Sequence, residues 1–384
     1  MIFDHLLKRE GIWKNFTEAY KNNKIPNAYI LFGDEGVGKE ALSVELAGLL
    51  NCKRPINNLN ACGGCRSCIS IKSFQHEDVH FIHPLPAKKN NSKSNYIDPK
   101  IIDELKSNYN EKIKNPYHKI RIENANTISI NSIRELKKKL FLSKSDENWS
   151  VVIIFDAERL CIPKSEPANA LLKILEEPPN KTLFILITSK MNLIIPTIQS
   201  RCQKIFFPNL SKEDIRNYAK EYDYEIEEDA LQMADGSISN FIDIVNNQMT
   251  NEINTLLQSF YRKSIDSFED ILSFFNKIKS KDKKYIYIYL NYLVIATKDI
   301  YLLSLNKSST KIHYTFLYEI YNQILTASPN GDWVRIIGAI NQCSLDINRN
   351  INLSISIYNM LINVQYCLEG KSIDRFKSNL IKEL

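Results

Sequence analysis

Gly33-Asp34-Glu35-Gly36-Val37-Gly38-Lys39 follows the apolar run Ala28-Tyr29-Ile30-Leu31-Phe32 and opens a helical pattern that continues to about Leu50. Strand, Gly-rich turn and helix in that order make a P-loop. Glycines let backbone amides turn inward on phosphate oxygens, the helix amino terminus adds a favourable dipole, and Lys39 adds charge. The residue after the lysine decides whether the nucleotide's metal is held, because a Ser or Thr hydroxyl there ligates the Mg²⁺ bridging the β- and γ-phosphates. Here it is Glu40, which brings charge and length to an already anionic polyphosphate. A strand ending at Phe155 delivers Asp156, placed to assist magnesium, yet the next position, where a glutamate would polarise the attacking water, is Ala157. Glu158 comes one residue later and on an extended backbone would face the opposite way. Two defects at one site argue against intrinsic hydrolysis and against tight binding of ATP and Mg²⁺ in cis.

A second constellation lies directly behind the helix. Cys52 is followed after nine residues by Cys62-Gly63-Gly64-Cys65-Arg66-Ser67-Cys68. Two overlapping Cys-x-x-Cys turns let three thiolates converge on one tetrahedral ion, and a fourth from the helix end closes the site. Closed four-sulfur sites are structural, and structural zinc is the expectation; an iron–sulfur cluster would use the same four ligands and remains the alternative. His76, His80 and His83 lie downstream, and with the coordination sphere already filled they read as structural or surface residues. Cys161, Cys343 and Cys367 are scattered and read as small buried apolar residues.

The elements that must position these groups alternate. Val79–Ile82, Trp149–Phe155, Thr182–Thr188 and Lys204–Phe207 read as further strands, with helices at Glu166–Leu175 and around Ile133, Leu136 and Leu140, the latter capped by Asn131 or Ser132. Continuous apolar runs belong to central strands of a parallel sheet covered on both faces. Lys137-Lys138-Lys139 on the second helix reads as a solvated face. Residues 86–118, with Lys88-Lys89-Asn90-Asn91, read as a mobile surface insertion holding one short helix. Ser211 before Glu213 and Asp214 caps the first of several helices, and from Glu252 onward the pattern is all helical.

With 384 residues the chain is too long for one core, and 44% hydrophobic with 24% charged residues is an ordinary globular composition. A net charge of +6 permits phosphate contact without the dense basic face of a dedicated DNA binder. The amino terminus Met1-Ile2-Phe3-Asp4-His5 lacks a secretory pattern, so a cytoplasmic protein is expected. Asn291, Lys298 and Asp299 interrupt the most apolar run, Tyr285–Leu305, which reads as a buried helix rather than a membrane span.

The loop with a four-cysteine insertion behind its helix, the segment Asn169-Ala170-Leu171-Leu172-Lys173-Ile174-Leu175-Glu176-Glu177-Pro178-Pro179, and Ser200-Arg201-Cys202 together resemble the AAA+ subunits of bacterial DNA polymerase III clamp loaders, gamma/tau and delta-prime. The resemblance has motif support over roughly residues 1 to 245. It implies an α/β AAA+ P-loop domain, a parallel sheet flanked by helices, over 1–208 with a zinc-knuckle insertion at 52–68. A small helical lid over 209–249 and an all-α collar domain over 250–384 would follow. It also implies that Arg201 acts as an arginine finger on ATP bound by a neighbouring subunit, a role that suits a guanidinium fork. Thr188 matches the sensor-1 position, and Ser239 stands where motor subunits carry the sensor-2 arginine. These departures favour a delta-prime stator in a heteropentamer with gamma/tau and delta, meeting the sliding clamp and primer-template DNA through the complex and no membrane. An ATP-hydrolysing motor subunit using Glu40 as metal ligand is the main alternative. A stand-alone zinc module for nucleic acid would need aromatic residues among the basic ones, and none occurs between Cys52 and Phe74.

Overall fold

The computed structural model describes residues 1–7, 9–57, 59–86, 98–142, 148–262, 266–281, 283–305, 312–349 and 351–371. Two compact units are distinguished, one of residues 1–224 with 234–242, the other of 225–233 with 243–384. The small lid expected over 209–249 is divided between them.

In the first unit, strands β1 (Ala28–Phe32), β2 (Val79–Ile82), β5 (Ser150–Ile154), β6 (Thr182–Thr188) and β7 (Gln203–Phe206) form one parallel sheet in the order β2-β5-β6-β1-β7. A short antiparallel pair, β3 (Leu85–Pro86) and β4 (Ala125–Thr127), stands apart. All seven residues of β6 are buried, as a continuous apolar run in a central parallel strand requires. Around the sheet lie α1 (Glu10–Lys21), α2 (Lys39–Asn51), α3 (Arg66–Lys72), α4 (Pro99–Lys114), α5 (Ile130–Leu142), α6 (Glu166–Glu176), α7 (Pro196–Gln199) and α8 (Lys212–Glu221). Ile133, Leu136 and Leu140 of α5 and Leu171 and Ile174 of α6 close over Ile30, Val152, Ile154, Phe184 and Leu186. Ser129, not Asn131 or Ser132, caps α5, its Oγ accepting the Ser132 amide at 3.1 Å. Ser211 does cap α8, in a reciprocal box with Asp214. Phe32 lies beside Thr188 in the ladder and Ile154 beside Leu186, so β1, β5 and β6 deliver their carboxyl ends to one place.

The expectation for residues 86–118 needs correction. Residues 87–97, with Lys88-Lys89-Asn90-Asn91, lie outside the described residues, but α4 is sixteen residues long, with Asp98 Oδ1 accepting the Lys100 amide at 3.0 Å and Pro99 in its first turn. Lys112 and Tyr117 are buried, only 1% and 5% exposed. A polar composition hid a segment whose cation is consumed inside the protein.

The second unit is helical: α9 (Glu228–Met233), the end of α10 (Ile238–Asn246), α11 (Met249–Phe260), α12 (Asp266–Lys281), α13 (Lys283–Ser304), α14 (Tyr318–Ala327), α15 (Trp333–Asn348) and α16 (Leu353–Leu368). Residues Tyr285–Ser304 of α13 are apolar and long enough to cross a membrane by length and composition alone, and 56% of the most apolar 18-residue window in that stretch is buried within the protein. The helix packs on α12, α14 and α15 and carries the buried Asp299. Asp299 accepts the amides of His313 and Tyr314 at 2.8 and 2.9 Å and the Tyr321 hydroxyl at 3.2 Å. Asp299→Ala is expected to cost about 3 kcal/mol, because buried donors lose a charged acceptor; denaturant unfolding of the whole chain measures it, and a loss under about 1 kcal/mol would contradict this account.

α16 is apolar on both sides. Ile357, Met360, Leu361 and Val364 are buried, while Ile355, Tyr358, Ile362 and Tyr366 are exposed at helical spacing on the other face. Val334 and Leu345 of α15 are exposed as well.

Candidate functional site

The loop at the end of β1 has the backbone of a phosphate cradle. Gly33 and Gly36 have φ of +144° and +76°, values that side-chain-bearing residues rarely adopt. A Cβ on Gly33 would lie 2.2 Å from the Phe207 carbonyl oxygen, and one on Gly36 would lie 2.1 Å from Ser237 Oγ and 2.6 Å from Ser239 Cβ. The Ile238 amide donates to the Gly36 carbonyl at 3.2 Å. Segment 236–239 thus sits directly on the loop, with Ser239 at the contact.

The side chains around this cradle are committed to one another. Lys39 is 5% exposed, and its ammonium donates to the carbonyls of its own loop, Gly33 at 2.8 Å and Asp34. Burial pulls its pKa down to about 8. Glu40 accepts from the Lys112 ammonium at 2.5 Å, and Lys112 also donates to the carbonyls of Pro116 at 3.2 Å and His118 at 2.6 Å. Asp156, held at φ +45°, lies 3.1 Å from Lys119 Nζ, which also pairs with Glu35. Arg121 Nη2 meets the other Glu35 oxygen at 2.8 Å. Burial raises the Glu35 carboxyl, but Lys119 and Arg121 outweigh it and bring its pKa down to about 2.

Tyr117 completes the cover. Its ring approaches within 3.5 Å of a Cβ position on Gly38, and its hydroxyl accepts the Leu7 amide at 2.9 Å. The free space among these residues is about 30 Å³, room for a water or two, whereas ligand pockets occupy ~300–1,000 Å³. Mg²⁺ and ATP do not fit this arrangement, since both carboxylates that would serve the metal already bind ammonium groups and the loop lysine points at its own backbone.

Glu158 differs from the expectation. Residues Ala157–Leu160 form a 3₁₀ turn rather than an extended strand, and Thr188 Oγ1 donates to the buried Glu158 carboxylate at 2.6 Å. The pairing joins Thr188 to the residue two positions beyond Asp156. Glu158 does not line the small cavity, though Thr188 does.

The four cysteines converge. Cys52 caps the end of α2, Cys65 the start of α3, and Cys68 lies in α3. Their sulfurs all lie within 4.8 Å of one another, and Cys62 Sγ and Cys68 Sγ are 3.9 Å apart. Thiolates around zinc at ~2.3 Å stand ~3.8 Å from each other in a tetrahedron, so the donor set fits such an ion. The amides of Cys62 and Cys65 point at the sulfurs of Cys52 and Cys62, at 3.2 and 3.3 Å, as hydrogen bonds to thiolates would. All eight cysteines are free of disulfides; Cys202, Cys343 and Cys367 are buried and Cys161 is partly so.

Arg201 stands well away from these bonds in the chain, after α7. Its side chain is 37% exposed, with Nη2 2.7 Å from Glu176 Oε1 and Nη1 donating to the Thr197 carbonyl at 3.1 Å. Glu176 ends α6 in the Glu-Glu-Pro-Pro segment, so the two recognition segments meet in space. Lys112, Tyr117 and Lys119 were missed from the sequence. Their one signal was Glu40 itself, a carboxylate at a half-buried position that requires a cation.

A parallel sheet in this order, with a Gly-rich phosphate loop after β1 and an aspartate after β5, defines an α/β protein of the P-loop class. The model of the family described as DNA polymerase III, delta subunit matches residues 8–211, and the chain belongs to that family. It is 28% identical over 233 residues to the DNA polymerase III subunit gamma/tau of Mycoplasma genitalium, covering 60% of this chain and 32% of that one. It is also 28% identical over 176 residues to the delta' subunit of Pseudomonas aeruginosa, covering 46% and 41%. The chain therefore spans well under half the length of these two relatives. A gamma subunit-related crystal structure from Thermotoga maritima aligns over 93% of this chain and 99% of its own at 14% identity, with a TM-score of 0.39, too loose to carry an argument.

Proposed function

We propose that this chain is the delta-prime-type subunit of a bacterial replicative clamp loader: a stator that donates Arg201 to ATP held by a neighbouring subunit and does not itself turn over nucleotide. The observation that carries this reading is the occupation of Glu40 and Asp156 by Lys112 and Lys119, set beside an Arg201 that remains solvent-accessible. An ammonium on each metal-binding carboxylate disfavours magnesium in cis, while an exposed guanidinium is available in trans. The apolar outer face of α16 supports assembly through the helical region 250–384 into a collar with gamma/tau and delta, since exposed aliphatic and aromatic side chains in register mark a surface to be covered. Zinc on Cys52, Cys62, Cys65 and Cys68 is structural in this reading. The clamp and primer-template DNA are met through the complex, in the cytoplasm.

Steady-state ATP hydrolysis tests it, measured with the chain alone and after mixing with a gamma/tau-type subunit. No turnover alone and stimulation in the mixture is the expected pair of results. Robust turnover by the chain alone, abolished by Lys39→Ala, would make it a motor subunit instead, a reading that the similarity to gamma/tau relatives keeps as the runner-up.

A further inference from the structure

We infer that Lys112 and Lys119 are built-in substitutes for a divalent cation: their ammonium groups neutralise Glu40 and Asp156 and pin residues 112–121 over the phosphate loop, so that the site is held closed with no ligand. The inference concerns this site alone and stands whether or not Arg201 acts in trans.

Charge and hydrogen bonding both favour it. Three carboxylates line one small cavity, Glu35, Glu40 and Asp156; the two placed to serve a metal carry two negative charges, and the Lys112 and Lys119 ammonium groups supply the same positive charge as one Mg²⁺. Carboxylates in so small a space would otherwise repel or take up protons. Lys112 has three N–H donors, and all three are used, on Glu40, Pro116 and His118. The two carbonyls are those of the turn that follows α4, so the same ammonium that neutralises Glu40 shapes the loop bearing Tyr117. Lys119 then fixes the far end of that loop to Glu35 on one side and Asp156 on the other. A segment fastened to the first turn of α2 through Lys112, and to the phosphate loop and the end of β5 through Lys119, cannot lift without breaking these pairs. With Lys112 1% exposed, its pair is screened little by solvent, and removing one partner leaves an uncompensated buried charge.

The test is thermal unfolding of the full chain across a millimolar Mg²⁺ titration. The wild type is expected to unfold at one temperature regardless of Mg²⁺. Lys112→Met with Lys119→Met is expected to unfold about 5–10 °C lower, and Mg²⁺ should recover part of that loss, because the vacated carboxylates become a metal site. A double variant as stable as the wild type, one indifferent to Mg²⁺, or a wild type stabilised by Mg²⁺ would each overturn the inference. Should the double variant not fold, hydrogen exchange on the wild type decides: the amides of residues 117–121 should exchange slowly and at the same rate with and without Mg-ATP. Fast exchange, or protection gained on adding Mg-ATP, overturns it.

Discussion

Arg201→Ala is expected to lower the single-turnover rate of ATP hydrolysis at the neighbouring subunit's site by roughly 10³-fold, while the chain still assembles into the loader. That factor corresponds to about 4 kcal/mol of transition-state stabilisation, which a guanidinium can supply by spreading its positive charge over phosphoryl oxygens. The cost to folding should be small. Arg201 is part of an exposed ion pair with Glu176 and one backbone contact, and exposed pairs contribute ~0–1 kcal/mol. Activity and stability should therefore separate, a signature that a merely structural arginine would not produce. Arg201→Lys should recover little, because an ammonium cannot reproduce the planar fork. Loader ATPase unchanged by Arg201→Ala, with assembly confirmed, would remove the finger from the account.

Stripping the metal from the four-cysteine knuckle is expected to cost more in stability than any single side chain. Structural zinc sites of this type carry apparent binding energies on the order of 10 kcal/mol at neutral pH, and that energy is folding energy for the loop that forms the site. α3 has seven residues, and the turn from Cys62 to Cys65 depends on Gly63 at φ +73°. The buried apolar residues of the knuckle and α3 are Ala61, Cys68 and Ile71, and Ala61 and Ile2 both lie against Gly48 of α2. Metal analysis should find one zinc per chain, with Cys65→Ser or a thiol-reactive displacer releasing it and lowering the unfolding temperature of the first unit. Iron with visible charge-transfer absorption would instead favour the iron–sulfur alternative. A chain with no bound metal and unchanged stability on thiol modification would contradict the site altogether.

These two predictions draw on different amounts of sequence information. The four-cysteine cluster was legible because its chemistry is local: Cys-x-x-Cys turns bring their sulfurs together through a few backbone angles, and Cys52 follows from the helix pattern that ends there. Arg201 is different. Nothing in its own surroundings distinguishes it from a surface arginine in a local salt bridge, and its role enters through the likeness of Ser200-Arg201-Cys202 to a family pattern.

The sequence by itself determined the strands, because continuous apolar runs such as Thr182–Thr188 are stable only between two covered neighbours, and it determined the Gly-rich loop, whose positive φ angles at Gly33 and Gly36 few other residues tolerate. It also placed Glu40 and Ala157 where a metal-binding hydroxyl and a water-activating glutamate would ordinarily stand. Only the tertiary structure decided what became of the freed carboxylates. The partners of Glu40 and Asp156 lie 72 and 37 positions away in sequence, counted from Lys112 minus 40 and from 156 minus Lys119, the first within a Lys- and Asn-rich stretch, residues 86–118, that looks solvated by composition and the second just after it. Composition records that a lysine is present; whether its charge meets water or a buried carboxylate depends on where the chain carries it. The same holds for Glu158, whose direction was set by a 3₁₀ turn and its bond to Thr188 rather than by the alternation of a strand.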